Sequence, residues 1–106
     1  MNIILDECLP KRLCPHLVGH QATTVPKAGL AGKKNGELLR SISGKFDAFL
    51  TVDLNLAAQQ NVPNYPIRVV VIKSVSNKLE DILSLVPEIL KAIANSKPGV
   101  ATIVGG

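Results

Sequence analysis

The sequence predicts an α/β fold in which a five-stranded, mostly parallel sheet is covered by helices on both faces. Continuous apolar runs recur along the chain, and such runs are typical of strands that are buried on both faces of a parallel sheet. Between these runs, apolar residues recur at the i, i+3, i+4 and i+7 spacing of helices with one buried face. The chain of 106 residues is long enough for one domain of this kind, which we expect to span residues 1–106.

Five segments have the composition of strands. Ile3-Ile4-Leu5 is the first, residues 22–25 form a β-branched second strand that Pro26 ends, and Ala48-Phe49-Leu50 is the third. Residues 67–72 give the strongest strand prediction in the chain. Residues 100–104 follow Gly99 and are expected to form the last strand, at an edge of the sheet.

Helical spacing predicts helices in the connections that precede the fourth strand. Leu9, Leu13, His16 and Leu17 form an apolar stripe, although Pro15 should limit or bend this helix. A second helix is predicted from Asn35, a suitable N-cap, to Ser43. A short helix is expected from Leu54 to Gln60.

The longest apolar stripe runs from Leu79 to Ile93 and predicts the last helix. Asn77 and Glu80 have the spacing of a capping box at its start. Pro87 lies inside the stripe, so we expect it to bend or divide the helix.

Composition restricts the classes of protein to which the chain can belong. No stretch approaches the ~20 apolar residues of a membrane span, and no signal peptide is evident, so we expect a cytoplasmic protein. The formal net charge of +4 favours an anionic partner such as RNA or DNA. Cys8 and Cys14 are six residues apart and would lie on different faces of one helix, which disfavours a disulfide between them.

Acidic residues follow two of the predicted strands. Asp6 and Glu7 come directly after the first strand, Asp53 follows the third, and Glu37 lies in the first turn of a predicted helix. Ligand sites of parallel sheets lie just beyond the carboxyl ends of the strands. Because Mg²⁺ and Mn²⁺ prefer oxygen ligands, convergence of these four carboxylates would create a site for either ion.

Such a site would be suited to phosphodiester hydrolysis, since a bound ion activates water and stabilises charge on the phosphate. Lys33 and Lys34 would then steer a nucleic-acid backbone toward Glu37. Each acid also has a structural explanation: Glu37 complements a helix dipole, Asp53 caps the helix that follows it, and Glu7 is an exposed charge. Asp6 is the hardest to explain in this way, because a carboxylate against a buried strand needs a partner.

Three segments of the chain form a recognisable pattern: Ile3-Ile4-Leu5-Asp6-Glu7-Cys8-Leu9-Pro10, Lys34-Asn35-Gly36-Glu37-Leu38-Leu39, and Phe49-Leu50-Thr51-Val52-Asp53-Leu54-Asn55-Leu56 with Gln59-Gln60-Asn61. Together they resemble the DUF5615 group of PIN-like proteins, relatives of the VapC-type toxin ribonucleases. The resemblance runs in order over nearly the whole chain, and its most specific parts are the opening Leu-Asp-Glu-x-Leu-Pro and the later Thr-x-Asp.

The resemblance implies a PIN-like three-layer α/β/α sandwich with strand order 3-2-1-4-5. It implies RNA as the substrate, cleaved at a metal pocket in which Asp6, Glu37 and Asp53 are the catalytic acids. It also implies an antitoxin protein as a partner and a homodimer. Many relatives carry a further acid where this chain has Asn55.

Two other interpretations remain open from the sequence. One is a non-catalytic PIN-like module that binds RNA or a protein. The other is a receiver-like phosphoacceptor domain, because acids follow the first and third strands and Lys73 follows the fourth. A receiver would place its lysine after the fifth strand.

Overall fold

The computed structural model, which describes residues 1–33, 35–55 and 64–105, has five strands in a single sheet. Every neighbouring pair of strands is parallel. The strands are β1 (Asn2–Leu5), β2 (Gln21–Thr24), β3 (Ala48–Thr51), β4 (Arg68–Lys73) and β5 (Ala101–Gly105). The predicted α/β class is therefore confirmed, and each strand lies within one or two residues of its predicted position.

Across the sheet the strands are ordered β2-β1-β3-β4-β5. The order implied by the family resemblance, 3-2-1-4-5, shares with it the pairing of β1 with β2 and of β4 with β5. The two orders differ in the position of β3, which lies between β1 and β4 rather than at an edge. Burial explains this arrangement, because β3 is buried at every position whereas β2 is exposed or partly exposed along its length.

Four helices are described, and three of them differ from the prediction: the 3-10 helix, and the two helices that replace the last predicted one. The first connection contains a 3-10 helix, Lys11–His16, with Pro15 inside it, and the prolyl ring explains why the predicted apolar stripe does not form a longer α-helix. Helix α1 spans Asn35–Ile42. Most of the predicted 54–60 helix lies outside the described residues.

The last predicted helix is divided, as its internal proline indicated. Helix α2 spans Leu79–Leu83, and helix α3 spans Val86–Asn95 with Pro87 in its first turn. The predicted capping box is wrong: Lys78 is the N-cap of α2, and no side chain caps the helix there.

Helices cover both faces of the sheet, which gives the three-layer sandwich. On one face, β1, β3, β4 and β5 pack against the 3-10 helix, α2 and α3, with Leu13, Ile82 and Ile89 fully buried. On the other face, Ile4 and Phe49 pack against α1. None of the helices among residues 1–33, 35–55 and 64–105 has the length and apolar character needed to cross a membrane.

Candidate functional site

Asp6 is held in place at the carboxyl end of β1 by hydrogen bonds from two sides. The Thr51 hydroxyl, at the end of β3, donates to Asp6 Oδ2 over 2.7 Å, and the Glu7 backbone N–H donates to Asp6 Oδ1 over 2.9 Å. The Asp6 N–H in turn donates to the Leu50 carbonyl over 2.8 Å. Thr51 is fully buried. The orientation of the Asp6 carboxylate is therefore fixed by the adjacent strand.

The same hydroxyl connects Asp6 to Asp53. The Asp53 N–H donates to Thr51 Oγ1 over 3.2 Å, and Asp53 Oδ1 accepts the backbone N–H of Asn55 over 3.0 Å. The Thr51 hydroxyl thus accepts a hydrogen bond from the Asp53 backbone and donates one to the Asp6 carboxylate. The sequence identified Asp6 and Asp53 as site residues but missed Thr51, whose signal was a hydroxyl residue ending an apolar run two places before an aspartate.

Cys8 is a second residue that the sequence did not assign to the site. Partial burial raises the pKa of its thiol, and the nearby Asp6 carboxylate raises it further, whereas hydrogen bonding with the Val52 backbone and the Thr51 side chain opposes this rise. The Cys8 carbonyl accepts a hydrogen bond from Asn77 Nδ2 over 2.9 Å. This bond attaches the segment before α2 to the end of β1, and it explains why Asn77 does not cap the helix.

Glu37 and Glu7 are not grouped with the two aspartates. Glu37, in the first turn of α1, is largely exposed and forms an ion pair with Lys33 over 3.0 Å. Glu7 is exposed. Within the described ranges, no three His, Cys, Asp or Glu side chains lie close enough together to hold one metal ion. Lys34, expected to steer nucleic acid, lies outside the described residues.

A cleft of about 310 Å³ adjoins the site at the carboxyl ends of β3 and β4. Its walls include Val52 and Leu54 on one side and Lys73, Ser76 and Asn77 on the other. Lys73 is exposed at the last position of β4. Lys73 therefore brings a positively charged ammonium group to the end of β4, the strand beside the one that precedes Asp53.

The donor atoms at this end of the sheet suit a hard divalent cation. Mg²⁺ and Mn²⁺ are commonly held by one or two carboxylates, with water and substrate phosphate completing the coordination shell. Each carboxylate oxygen of Asp6 accepts one described hydrogen bond and has capacity for a second interaction. Asp6 and Asp53 thus provide the oxygen chemistry that such an ion requires.

Comparisons of the chain with protein-family models, with curated proteins and with solved structures found no match.

Proposed function

We propose that this protein is a metal-dependent ribonuclease of the PIN-like type, which hydrolyses RNA phosphodiester bonds with Mg²⁺ or Mn²⁺. The observation that carries the proposal is the connection from Asp6 through Thr51 to Asp53 at the carboxyl ends of β1 and β3. The order of the sheet reverses between these two strands, and such switch points are the usual ligand sites of open α/β sheets.

Asp6 and Asp53 are the proposed metal ligands, and Thr51 is a positioning residue that keeps the Asp6 carboxylate fixed. Glu37 is the proposed third catalytic acid. Its ion pair with Lys33 is exposed, and exposed pairs of this kind contribute little to stability, so Glu37 can leave Lys33 when an ion and RNA bind. A metal ion held by Asp6 and Asp53 would activate water and stabilise negative charge on the phosphate.

Glu7 is proposed to act in the outer shell of the ion, because its side chain is exposed although its N–H already contacts Asp6. Lys33 and Lys34 are proposed to contact the RNA backbone, which agrees with the net charge of +4. The family resemblance extends the proposal to a cytoplasmic toxin that forms a homodimer and is controlled by an antitoxin protein.

Cleavage of single-stranded RNA in Mn²⁺ tests the proposal, with wild type compared with Asp6→Asn and Asp53→Asn. Asp47→Asn is the matched control, because Asp47 lies at the opposite, amino end of β3 and accepts a backbone N–H from Asn2. We expect cleavage by wild type and the control, and a loss of at least 100-fold in the other two variants. Equal cleavage by all four proteins would identify a contaminating nuclease and remove the proposal.

A receiver-like phosphoacceptor is the second candidate, and the strand order favours it. The observed order is also that of doubly wound folds with a β1/β3 switch point. Here Asp53 would attack the phosphorus of acetyl phosphate and release acetate. Acid-stable retention of the phosphoryl group on wild type, lost in Asp53→Asn, together with no RNA cleavage, would select this function over the nuclease.

RNA binding that persists in a chelator, with neither cleavage nor phosphorylation, would instead select the non-catalytic binding module.

A further inference from the structure

A second cleft lies beside the candidate site, along the outer edge of the sheet. It has a volume of about 500 Å³ and runs between the 3-10 helix and strand β2. Its walls comprise two lysines, two prolines, two threonines, one alanine and one cysteine. They are Lys11, Cys14, Pro15, Ala22, Thr23, Thr24, Pro26 and Lys27. The cleft therefore combines cationic, apolar and hydrogen-bonding groups.

The position of this cleft relative to Asp6 is fixed by strand pairing. Thr24 is paired with Leu5, and the N–H of Val25 donates to the Leu5 carbonyl over 2.8 Å. Adjacent strands are about 4.8 Å apart, so the carboxyl end of β2 lies one strand spacing from the residue that precedes Asp6. Thr24, which lines the cleft, is consequently paired with the residue that precedes Asp6.

Lys11 and Lys27 have no acidic partners among the described residues, where the only ion pair joins Lys33 to Glu37. Both side chains are exposed at the mouth of the cleft. Burial raises the pKa of the Cys14 thiol, and the nearby positive charge of Lys27 opposes this rise with a smaller effect. Two unneutralised ammonium groups near a hydrogen-bonding cleft are suited to phosphate.

The edge strand itself supplies main-chain hydrogen-bonding groups. The N–H groups of Gln21 and Val25 both donate toward β1. Because successive residues of a strand point their backbone groups to opposite sides, the N–H and C=O of Ala22 point away from β1, and Ala22 is one of the residues that line the cleft. A neighbouring donor and acceptor of this kind can pair with the edge of a nucleobase, while Pro15 and Pro26 provide apolar surface for the base.

We propose that this cleft, which we call the β2-edge cleft, binds one nucleotide of single-stranded RNA next to the cleavage site. Lys11 and Lys27 contact its flanking phosphates, and the Ala22 backbone contacts its base. The proposal rests on the ribonuclease function, since it assigns a substrate subsite to the same active site. It adds to Lys33 and Lys34 a second basic surface, on the opposite side of β1 from β3.

Binding without cleavage provides the test. The probe is a fluorescein-labelled hexauridylate, and its anisotropy is measured in EDTA at several salt concentrations. Each phosphate contact on a single strand contributes about 0.7 to the slope of log K against log salt. Replacement of both lysines (Lys11→Ala with Lys27→Ala) should therefore lower the slope by about 1.4 and weaken binding roughly 25-fold at 0.1 M salt.

The matched control is Lys91→Ala with Lys97→Ala, which removes the same charge from exposed positions on and after α3. We expect this control to bind within about threefold of wild type. If the two double substitutions weaken RNA binding equally, the effect comes from the lower net charge, and the subsite is overturned. Undetectable binding by wild type in EDTA would overturn it as well.

Cys14 reports occupancy of the β2-edge cleft independently. Bound hexauridylate should slow alkylation of Cys14 by iodoacetamide in wild type, followed by peptide mass spectrometry, and the protection should be lost in the Lys11/Lys27 variant. Protection ratios with and without RNA are compared within each protein, because loss of Lys27 also changes thiol reactivity. An unprotected Cys14 in an RNA-saturated wild type would place the nucleotide elsewhere.

The subsite and the ribonuclease function fail in different ways. If wild type cleaves RNA in manganese and the Lys11/Lys27 variant binds RNA as well as wild type does, the subsite is refuted and the ribonuclease function is retained. Lysine-dependent binding and Cys14 protection without any cleavage would retain the cleft as a nucleotide site and refute the enzyme.

Discussion

The Thr51 hydroxyl is the connection on which the proposed active site depends, and Thr51→Val removes it with little change in side-chain shape. The hydroxyl is fully buried and donates to Asp6 Oδ2 over 2.7 Å. Hydrogen bonds to charged groups contribute roughly 1.5–3 kcal/mol, and Asp6 is only partly buried, so we expect a loss near the lower part of this range. The weaker bond from the Asp53 N–H, at 3.2 Å, adds a smaller loss. We therefore expect the free energy of unfolding to fall by about 2 kcal/mol.

Urea denaturation measures this change directly. With a slope of about 1.5 kcal/mol/M, a loss of about 2 kcal/mol lowers the midpoint by roughly 1.3 M. Thr51→Ser is the matched control, because it keeps the hydroxyl and loses one buried methyl group, at a cost of roughly 1 kcal/mol.

Metal binding and RNA cleavage should distinguish Thr51→Val from Thr51→Ser more clearly than the free energy of unfolding does. If the hydroxyl positions Asp6, then Mn²⁺ affinity measured by titration calorimetry and RNA cleavage should fall in Thr51→Val by at least tenfold and remain near wild type in Thr51→Ser. A Val variant that binds Mn²⁺ as tightly as wild type, or a Ser variant that is the more impaired of the two, would refute the positioning role.

Three further predictions follow from the same end of the sheet. Asp6→Asn should shift the pH profile of Cys8 alkylation, followed by mass spectrometry, to lower pH, because the carboxylate that helps to raise the thiol pKa is removed. Burial is the larger cause and remains, so the profile should still lie at higher pH than that of a free thiol. Wild type should gain thermal stability in Mn²⁺, and Asp6→Asn should not, since an ion bound only by the folded state stabilises it; an equal rise in Tm for both proteins would exclude Asp6 as a ligand. Gly105→Ala should lower the Tm more than Gly19→Ala. Both glycines have positive φ, of 88° and 84°, but only at Gly105 would the added methyl group clash with backbone, at the Lys73 carbonyl oxygen. Similar effects of the two glycine substitutions would contradict this steric account.

The strands could be predicted from the sequence because burial on both faces requires an apolar side chain at every position. Ala48-Phe49-Leu50 meets this condition and forms most of the fully buried β3. The division of the last helix was predictable for a similar reason, since Pro87 lacks the N–H that a helix interior needs but is suited to a first turn. In these cases the local chemistry decides the structure.

Tertiary contacts decided the cases that the sequence could not predict. Asn77 has the spacing of a capping residue, yet its amide donates to the Cys8 carbonyl, 69 residues away in the chain. Thr51 resembles any β-branched strand residue until Asp6 is placed beside it. Capping motifs and strand propensities describe neighbours along the chain, so they do not report which side chain completes a hydrogen bond across the fold.

The order of the strands determines whether the acidic residues can act together, and no periodicity in the sequence encodes it. Because β3 lies directly beside β1, one hydroxyl reaches both Asp6 and the Asp53 backbone. With β3 at the edge and β2 between them, the ends of β1 and β3 would be about 10 Å apart, at roughly 4.8 Å for each strand spacing. Carboxylates share one Mg²⁺ only when their oxygens lie about 2.1 Å from it, so that separation would prevent joint coordination from fixed strand ends. The same order leaves β2 at the edge, which opens its outer side to the β2-edge cleft. The adjacency of β1 to both strands thus places Asp53 on one side of Asp6 and the cationic β2-edge cleft on the other.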